Sequence, residues 1–163
     1  MKKKDFKILL VDDEPDIIEI IRFNLEQQGY EICTASDGLE ALKVAKKELP
    51  HLIIMDVMMP NLDGIEACER LRQDERFSKT IIMFLTARGE DYSYVAAFDA
   101  GADDYVTKPI KPKVLVSKVK GLLRRFKEEI NLENQLVFNE LIIDRDAYKV
   151  SLKGKELALP RKE

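Results

Sequence analysis

The sequence predicts an α/β protein with a doubly wound, five-stranded parallel sheet and helices on both faces. Five short apolar segments alternate with five segments whose apolar residues recur at helical spacing. The most apolar segment, residues 52–55, ends on Asp56 and predicts a strand that is buried on both sides. We therefore expect one α/β domain over residues 1–126.

Each element of this domain has its own sequence signal. Pro15 suits the first turn of a helix, and Gly29 suits the position after its end. The helix near 92–100 has a weak apolar face, so we expect it to be mobile. The predicted strands are 6–11, 30–35, 51–56, 80–85 and 104–107. The predicted inward helix residues are Ile17, Ile18, Ile20, Ile21, Leu25, Leu39, Leu42, Ala45, Leu49, Ile65, Ala67, Cys68, Leu71, Val114, Leu115, Val119, Leu122, Leu123 and Phe126.

The pattern changes after Phe126. Residues 127–135 are largely polar and predict the end of a helix that runs into a linker. From Leu136 apolar and polar residues alternate, and Gly154 predicts a hairpin turn. We expect residues 136–163 to form a small antiparallel sheet that is too short for an independent core.

Composition and charge narrow the function classes. The net charge is −3, which favours neither nucleic acid nor a membrane surface as a partner. The basic start of the chain lacks the apolar run of a signal peptide or membrane span, so we expect a cytoplasmic protein. Cys33 and Cys68 are expected as buried or half-buried free thiols. His51, the only histidine, is expected to have a plain surface role.

Charged and polar residues follow the predicted strands. Asp12 and Asp13 follow the first, Asp56 ends the third, Thr86 ends the fourth and Lys108 follows the fifth. The carboxyl ends of parallel strands meet at one sheet edge, where open α/β sheets bind ligands. Converging carboxylates repel one another, and an all-oxygen site suits a partly hydrated Mg²⁺. The alternative, in which each acid merely caps a helix, requires four coincidences in one chain.

These motifs resemble a response-regulator receiver domain over about residues 5–126. The similarity rests on four fragments in a specific order and spacing. They are Val11-Asp12-Asp13-Glu14, Asp56 followed by Met59-Pro60 and Asp63-Gly64, Leu85-Thr86-Ala87, and residues 101–109 (GADDYVTKP). The resemblance implies the flavodoxin-like receiver fold.

The resemblance also implies the chemistry. Asp56 would accept a phosphoryl group from a phosphohistidine of a sensor histidine kinase. Mg²⁺ would be held by Asp13 and Asp56, by Asp12 through water, and by the backbone carbonyl of Met58. Lys108, after a cis Lys108-Pro109 bond, would supply positive charge opposite the metal. The chain would not be an enzyme in its own right, but would assist its own phosphorylation and dephosphorylation.

In the same family, a hydroxyl and an aromatic ring form the switch. Thr86 would donate its hydroxyl to the phosphoryl group, and Tyr105 would move inward. From the residues alone, a half-buried strand aromatic with no switching role is the preferred interpretation of Tyr105. Met58 and Arg88 would line the path of the hydrolytic water.

Residues 136–163 resemble the start of an OmpR/PhoB-type winged-helix effector domain. The matching residues are 141–144, 153–157 and 159–163. We expect a transcription regulator truncated early in that domain, which would contact DNA only through the missing remainder.

In that subfamily, charged pairs join two active receivers into a homodimer. Asp103, Asp104, Lys118, Lys120 and Arg125 fit the scheme. Tyr94 and Val114 occupy positions where a basic and an acidic residue are usual, so an apolar pair replaces one ion pair. We expect dimerisation on phosphorylation.

Two other functions remain as alternatives. A stand-alone receiver would signal only through protein contacts, and the segment from Leu136 argues against it. A haloacid-dehalogenase-type phosphatase would need a second acid two residues after Asp56, where Met58 stands. A P-loop NTPase is excluded because no GxxxxGK[ST] motif occurs.

Overall fold

The computed structural model describes residues 5–87 and 91–147, with side chains for 5–87 and 95–135. Five strands form one parallel sheet in the order β2-β1-β3-β4-β5. This order confirms the predicted doubly wound fold. The strands are β1 (Lys7–Val11), β2 (Glu31–Ala35), β3 (Leu52–Asp56), β4 (Ile81–Thr86) and β5 (Asp104–Thr107).

Five helices connect and follow the strands. Pro15 occupies the first turn of α1, and Gly29 follows this helix with a φ of 97°. Asp37 and Asp63 cap α2 and α3 by accepting hydrogen bonds from the backbone N–H groups of Glu40 and Glu66. The helices are α1 (Pro15–Gln27), α2 (Gly38–Glu48), α3 (Gly64–Arg72), α4 (Asp91–Asp99) and α5 (Pro112–Ala147).

Alternate strand residues face opposite layers of helices. Leu9, Ile53 and Phe84 belong to a core cluster with residues of α2, α3 and α4. The strand residues between them, including Leu10 and Ile54, are fully buried but belong to the other face. The residues of α1 and α5 buried outside that cluster are Ile21, Leu25, Leu115, Val119, Leu122 and Leu123. The two sheet faces are therefore both covered.

Four residues that helical spacing placed inward are substantially exposed. Helical spacing marks an apolar stripe but not how wide the buried part of that stripe is. The exposed residues are Ile20 (45%), Leu39 (46%), Leu49 (52%) and Val114 (46%).

Near the amino ends of the strands, two residues, His51 and Arg72, make contacts that the sequence did not predict. Nδ1 of His51 accepts the backbone N–H of Lys7 at 3.0 Å, and the ring packs edge-on against Phe6. The imidazole is half-buried, and burial together with the Lys7 charge lowers its pKa. The expectation of a plain surface role was therefore wrong.

Arg72, at the end of α3, is the second of these residues. Its guanidinium donates to the carbonyls of Gly101, Phe77 and Thr80 at 2.7–2.9 Å and to a carboxylate oxygen of Asp103 at 3.0 Å. One arginine thereby joins α3, the α3–β4 connection and the approach to β5.

The C-terminal segment differs from the sequence expectation. Residues 127–135, predicted as a linker, and residues 136–147, predicted as strands, lie in α5. Short apolar runs such as 141–143 satisfy both helical and strand patterns, which explains the error. Residues 148–163, with the predicted hairpin at Gly154, lie outside the described residues. The chain divides into two compact units, residues 1–123 and 124–163.

Both cysteines are free thiols, as predicted. Cys68 is buried and Cys33 is half-buried. Burial raises the pKa of each thiol to about 11. Neither is therefore a thiolate near neutral pH.

Candidate functional site

Three carboxylates meet at the carboxyl edge of the sheet. Asp12 and Asp13 follow β1, and Asp56 is the last residue of β3, the neighbouring strand. Oxygen atoms of the three side chains lie within 4.8 Å of one another. Asp12 and Asp56 are buried, with 2% and 7% of their surface exposed, whereas Asp13 is exposed. The strand order therefore brings Asp56 next to Asp12 and Asp13, although Asp56 lies 43 positions after Asp13 in the sequence.

Lys108 lies beside this cluster, after β5. Its ammonium nitrogen is 3.4 Å from Oδ2 of Asp12, 3.5 Å from Oδ1 of Asp56 and 3.7 Å from Oε1 of Glu14. The Lys108-Pro109 peptide bond is cis, as expected. One ammonium group therefore contacts three carboxylates.

Burial and mutual repulsion alter the acidity of the site. Burial, followed by the negative charge of Asp12, raises the pKa of Asp56 to about 6, although Lys108 opposes the shift. Burial also raises the pKa of Asp12. For Lys108, burial lowers the pKa, but the attraction of Asp56 and Asp12 outweighs it and the net shift is upward.

Two buried oxygen atoms in this region have no hydrogen-bond partner. They are Oδ2 of Asp12, which is ion-paired with the Lys108 ammonium at 3.4 Å but accepts no hydrogen bond, and Oγ1 of Thr86, which ends β4 and is fully buried. The other carboxylate oxygen of Asp12 accepts the backbone N–H of Glu14 at 2.9 Å. An unsatisfied buried polar atom is costly, so the Thr86 hydroxyl is available to a group that binds beside the carboxylates.

The donor set fits a hard divalent cation. Three carboxylates are the ligands that Mg²⁺ prefers, and a cation would offset the carboxylate repulsion that, after burial, raises the Asp56 pKa. Asp12, Asp13 and Asp56 are the side chains that could hold it.

The β3–α3 loop, residues 57–63, begins directly after Asp56. Met58 is 64% exposed, so its side chain does not close the site. Gly64, after the loop, has no room for a side chain, because a Cβ there would lie 2.2 Å from the backbone oxygen of Asp56. The close approach of α3 to Asp56 therefore requires glycine at this position.

Thr86 and Tyr105 lie on adjacent strands. Phe84 pairs with Tyr105, and Thr86 with Thr107, so the Thr86 and Tyr105 side chains share one face of the sheet. The half-buried Tyr105 ring packs edge-on against Phe98 at 5.9 Å. The ammonium of Lys118 lies 5.9 Å from the centre of the same ring.

Some of the residues predicted for a dimer face form ion pairs within the chain, whereas others are exposed. Asp104 and Lys118 form an ion pair of 3.3 Å within the chain. Asp103 is paired with Arg72 and accepts the backbone N–H of Ile82. Val114 is exposed, as is Arg125 in the second unit.

Other predicted residues are placed as follows. Tyr94 lies in α4 and Lys120 in α5, and Lys120 is half-buried. The Tyr94 side chain and Arg88 lie outside the described residues.

Sequence reasoning missed one element of the site. Asn61, in the β3–α3 loop, donates from Nδ2 to Oδ2 of Asp37 at 2.7 Å. The two residues are 24 positions apart, and local spacing gives no signal for such a contact. A positive φ of 68° at Asn61 is compatible with its identity, because asparagine tolerates that conformation better than most residues.

Comparison with known proteins identifies the family. The model of the response regulator receiver domain matches residues 8–120. The chain is 44% identical to the alkaline phosphatase synthesis transcriptional regulatory protein PhoP of Bacillus subtilis, over 96% of this chain and 68% of that protein. It is 42% identical to the transcriptional regulatory protein ResD of the same organism, over 96% of this chain and 67% of that protein.

Solved structures show the same architecture. A putative response regulator from Chloroflexus aurantiacus superposes with a TM-score of 0.70 at 39% identity, covering 73% of this chain and 98% of that one. Among the described residues, no helix is both long and apolar enough to cross a membrane. With its parallel sheet, its carboxylate cluster and these relatives, the chain belongs to the response-regulator receiver family, and its relatives PhoP and ResD are regulators of transcription.

Proposed function

We propose that the protein is a cytoplasmic two-component response regulator in which Asp56 accepts a phosphoryl group from the phosphohistidine of a sensor histidine kinase. The observation that carries the proposal is the buried meeting of Asp12, Asp56 and Lys108 at the sheet edge. Burying several charged groups together costs desolvation free energy. Binding of a phosphoryl group or a cation is a function that accounts for such a cluster.

Asp56 acts as the nucleophile. With a pKa of about 6, its carboxylate is mostly ionised near neutral pH despite its burial. A carboxylate oxygen forms a bond to phosphorus while the phosphorus–nitrogen bond of the donor breaks, and the imidazole retains that electron pair. The product is an aspartyl phosphate.

The neighbouring residues handle charge. Lys108, already 3.5 Å from Asp56, pairs with an oxygen of the transferred group. Asp12, Asp13, Asp56 and the carbonyl of Met58 would hold Mg²⁺. When bound, the metal offsets negative charge on the carboxylates and the phosphoryl group. The chain supplies these groups to its own modification and is not an enzyme acting on other substrates.

The signal then passes to β4 and β5. The buried hydroxyl of Thr86, which has no partner in the unmodified protein, donates a hydrogen bond to the phosphoryl group. Tyr105 moves inward on the same sheet face, away from Phe98 and Lys118. This movement changes the surface formed by α4, β5 and the start of α5.

That surface forms a homodimer, and the dimer controls transcription. Val95, Phe98 and Val114 expose apolar side chains there, at 64%, 45% and 46%. Asp103, Asp104 and Lys118 contribute charge. DNA is contacted through the winged-helix effector domain whose start residues 136–163 resemble.

The transcriptional function is favoured over a stand-alone receiver by one observation. The receiver match ends at residue 120, whereas similarity to PhoP and ResD extends over 96% of the chain. The shared sequence therefore includes residues beyond the receiver domain.

The test is chemical phosphorylation. Incubation with acetyl phosphate or phosphoramidate and Mg²⁺ should add one phosphoryl group that is labile in base. Asp56→Asn should remain unlabelled, and so should the wild-type protein in EDTA. Asp74→Asn, which changes a carboxylate in the α3–β4 connection outside the cluster, is the matched control and should be labelled normally. Equal labelling of Asp56→Asn and wild type would contradict the assignment.

A further inference from the structure

The β3–α3 loop is held at its start by the sheet. The backbone N–H of Val57 donates to the carbonyl of Leu85 at 3.1 Å, and Gly64 donates to the carbonyl of Val57 at 2.9 Å. These contacts position the residue next to Asp56. They leave the middle of the loop, including Met58, to be fixed by other contacts.

The far end of the loop contains an uncommon turn. The backbone N–H of Leu62 donates to the carbonyl of Pro60 at 2.7 Å, across Asn61 with its φ of 68°. A three-residue turn whose central residue has a positive φ is the less common form of the γ-turn, which is rare because it is strained. Such a turn persists only when its surroundings hold it.

Asp37 holds this turn. Its Oδ2 accepts the side-chain amide of Asn61 at 2.7 Å, while its Oδ1 accepts the backbone N–H of Glu40 at 2.8 Å. Gly38 donates its N–H to the carbonyl of Leu62 at 3.1 Å, and a Cβ at Gly38 would lie 2.1 Å from that oxygen. The turn and the start of α2 are therefore in direct contact.

We propose that Asp37 and Asn61 are positioning residues for the metal site, and that their hydrogen bond fixes the β3–α3 loop so that the Met58 carbonyl stays in place for a divalent cation. This inference rests on the proposed function. The hydrogen bond joins the loops that follow β2 and β3, and these strands lie on either side of β1. The end of β1 supplies Asp12 and Asp13, so the bond spans the part of the sheet edge where the cation would bind.

The bond is separable from the capping role of Asp37. Serine caps helices about as well as aspartate, but its side chain is too short to reach Asn61. Asp37→Ser therefore removes the contact and retains the cap. Asn61→Gly removes the same contact from the other side and leaves the positive φ unstrained.

A reversed pair provides the rescue. In the double variant Asp37→Asn/Asn61→Asp, the new asparagine can accept the Glu40 N–H on its oxygen and donate from its nitrogen to the new carboxylate. Net charge is unchanged. Asp74→Ser, which alters a cap at the α3–β4 connection, is the control for loss of a capping carboxylate.

The measurement is Mg²⁺ affinity of the full, metal-free chain by isothermal titration calorimetry. Each single variant should bind Mg²⁺ roughly tenfold more weakly, as for other residues that orient metal ligands. The double variant Asp37→Ser/Asn61→Gly should bind Mg²⁺ no more weakly than the weaker-binding single variant, because both substitutions remove the same hydrogen bond. The reversed pair should recover the affinity, and Asp74→Ser should match wild type.

Amide hydrogen exchange without metal gives a second measurement. Residues 58–62 should exchange faster in both single variants and return to wild-type rates in the reversed pair. Unchanged affinity and exchange in the single variants, or no recovery in the reversed pair, would overturn the inference alone. Failure of the wild-type protein to bind Mg²⁺ would instead overturn the metal site of the proposed function.

Discussion

The ammonium nitrogen of Lys108 lies 3.5 Å from Oδ1 of Asp56, while burial and Asp12 raise the pKa of that carboxyl to about 6. Lys108 is thus the group that keeps Asp56 available as an anion. A carboxyl in this environment would titrate higher still if the lysine were absent.

Replacing Lys108 should therefore change the acidity of Asp56. In Lys108→Ala, we expect the pKa of Asp56 to rise above its wild-type value of about 6 and phosphorylation near neutral pH to slow. Lys108→Arg retains the charge and should shift the pKa less. Carbon-13 NMR titration of the Asp56 carboxyl carbon measures the effect, and an unchanged midpoint in Lys108→Ala would contradict it.

The pKa of Asp56 also predicts how stability depends on pH. Its value rises from 3.8 in the unfolded chain to about 6 in the folded protein, so the folded state binds the proton more tightly. The favourable contribution is fully present below about pH 4 and is lost as pH rises through about 6. Two pKa units correspond to about 3 kcal/mol.

Asp56→Asn should remove this dependence. In metal-free buffer, the variant should exceed wild type in free energy of unfolding by up to about 3 kcal/mol near neutral pH, and by little near pH 4. Asp74→Asn should instead lower the free energy of unfolding by an amount that changes little between pH 4 and neutral pH, since hydrogen bonds from Arg76 lower the pKa of Asp74 below that range. Urea unfolding across this pH range provides the values. Parallel curves for wild type and Asp56→Asn would refute the account.

Thr86→Ala should separate phosphorylation from its transmission. The hydroxyl is not the nucleophile, so the variant should still accept phosphate, but it cannot donate to the modified Asp56. NMR shift changes at Tyr105 and α4 on adding beryllofluoride should be large in wild type and small in Thr86→Ala. Thr86→Ser, which keeps the hydroxyl, should resemble wild type. Equal shifts in all three proteins would leave Thr86 a structural role only.

The dimer should resist salt. Exposed ion pairs contribute only about 0.2–1 kcal/mol each, and Asp104 and Lys118 are already paired within one chain. The exposed apolar residues should therefore contribute most of the affinity. Val114→Asp should weaken the beryllofluoride-induced dimer more than rising salt does. Phe23→Asp, at an exposed apolar position on α1, should not. Sedimentation velocity measures both, and a protein that stays monomeric throughout would remove the proposed interface.

The strand ends could be predicted because the sequence shows apolar runs that alternate with helical segments, and this alternation predicts a parallel sheet. Asp12, Asp56 and Lys108 follow apolar runs, and a parallel sheet brings the ends of such runs together. No further information was needed to expect the cluster.

Contacts between distant side chains could not be predicted in this way. The four acceptors of Arg72, the bond between Asn61 and Asp37, and the acceptance of the Lys7 N–H by His51 join positions that no local pattern links. The prediction of strands for residues 136–147 was wrong for another reason. A short apolar run fits both the helical and the strand periodicity, and its length does not decide between them.

The position of β5 at the margin of the sheet has a mechanical consequence. Thr86 lies on β4, which has a hydrogen-bonded neighbour on each side, whereas β5 has one on a single side. A displacement of Tyr105 therefore strains one ladder and leaves the other three untouched. In the proposed switch, the structural change would pass from β4 to β5, across the strand spacing of about 4.8 Å, and would reach the edge of the sheet. The strands that position the carboxylates could then keep their places while β5 moves.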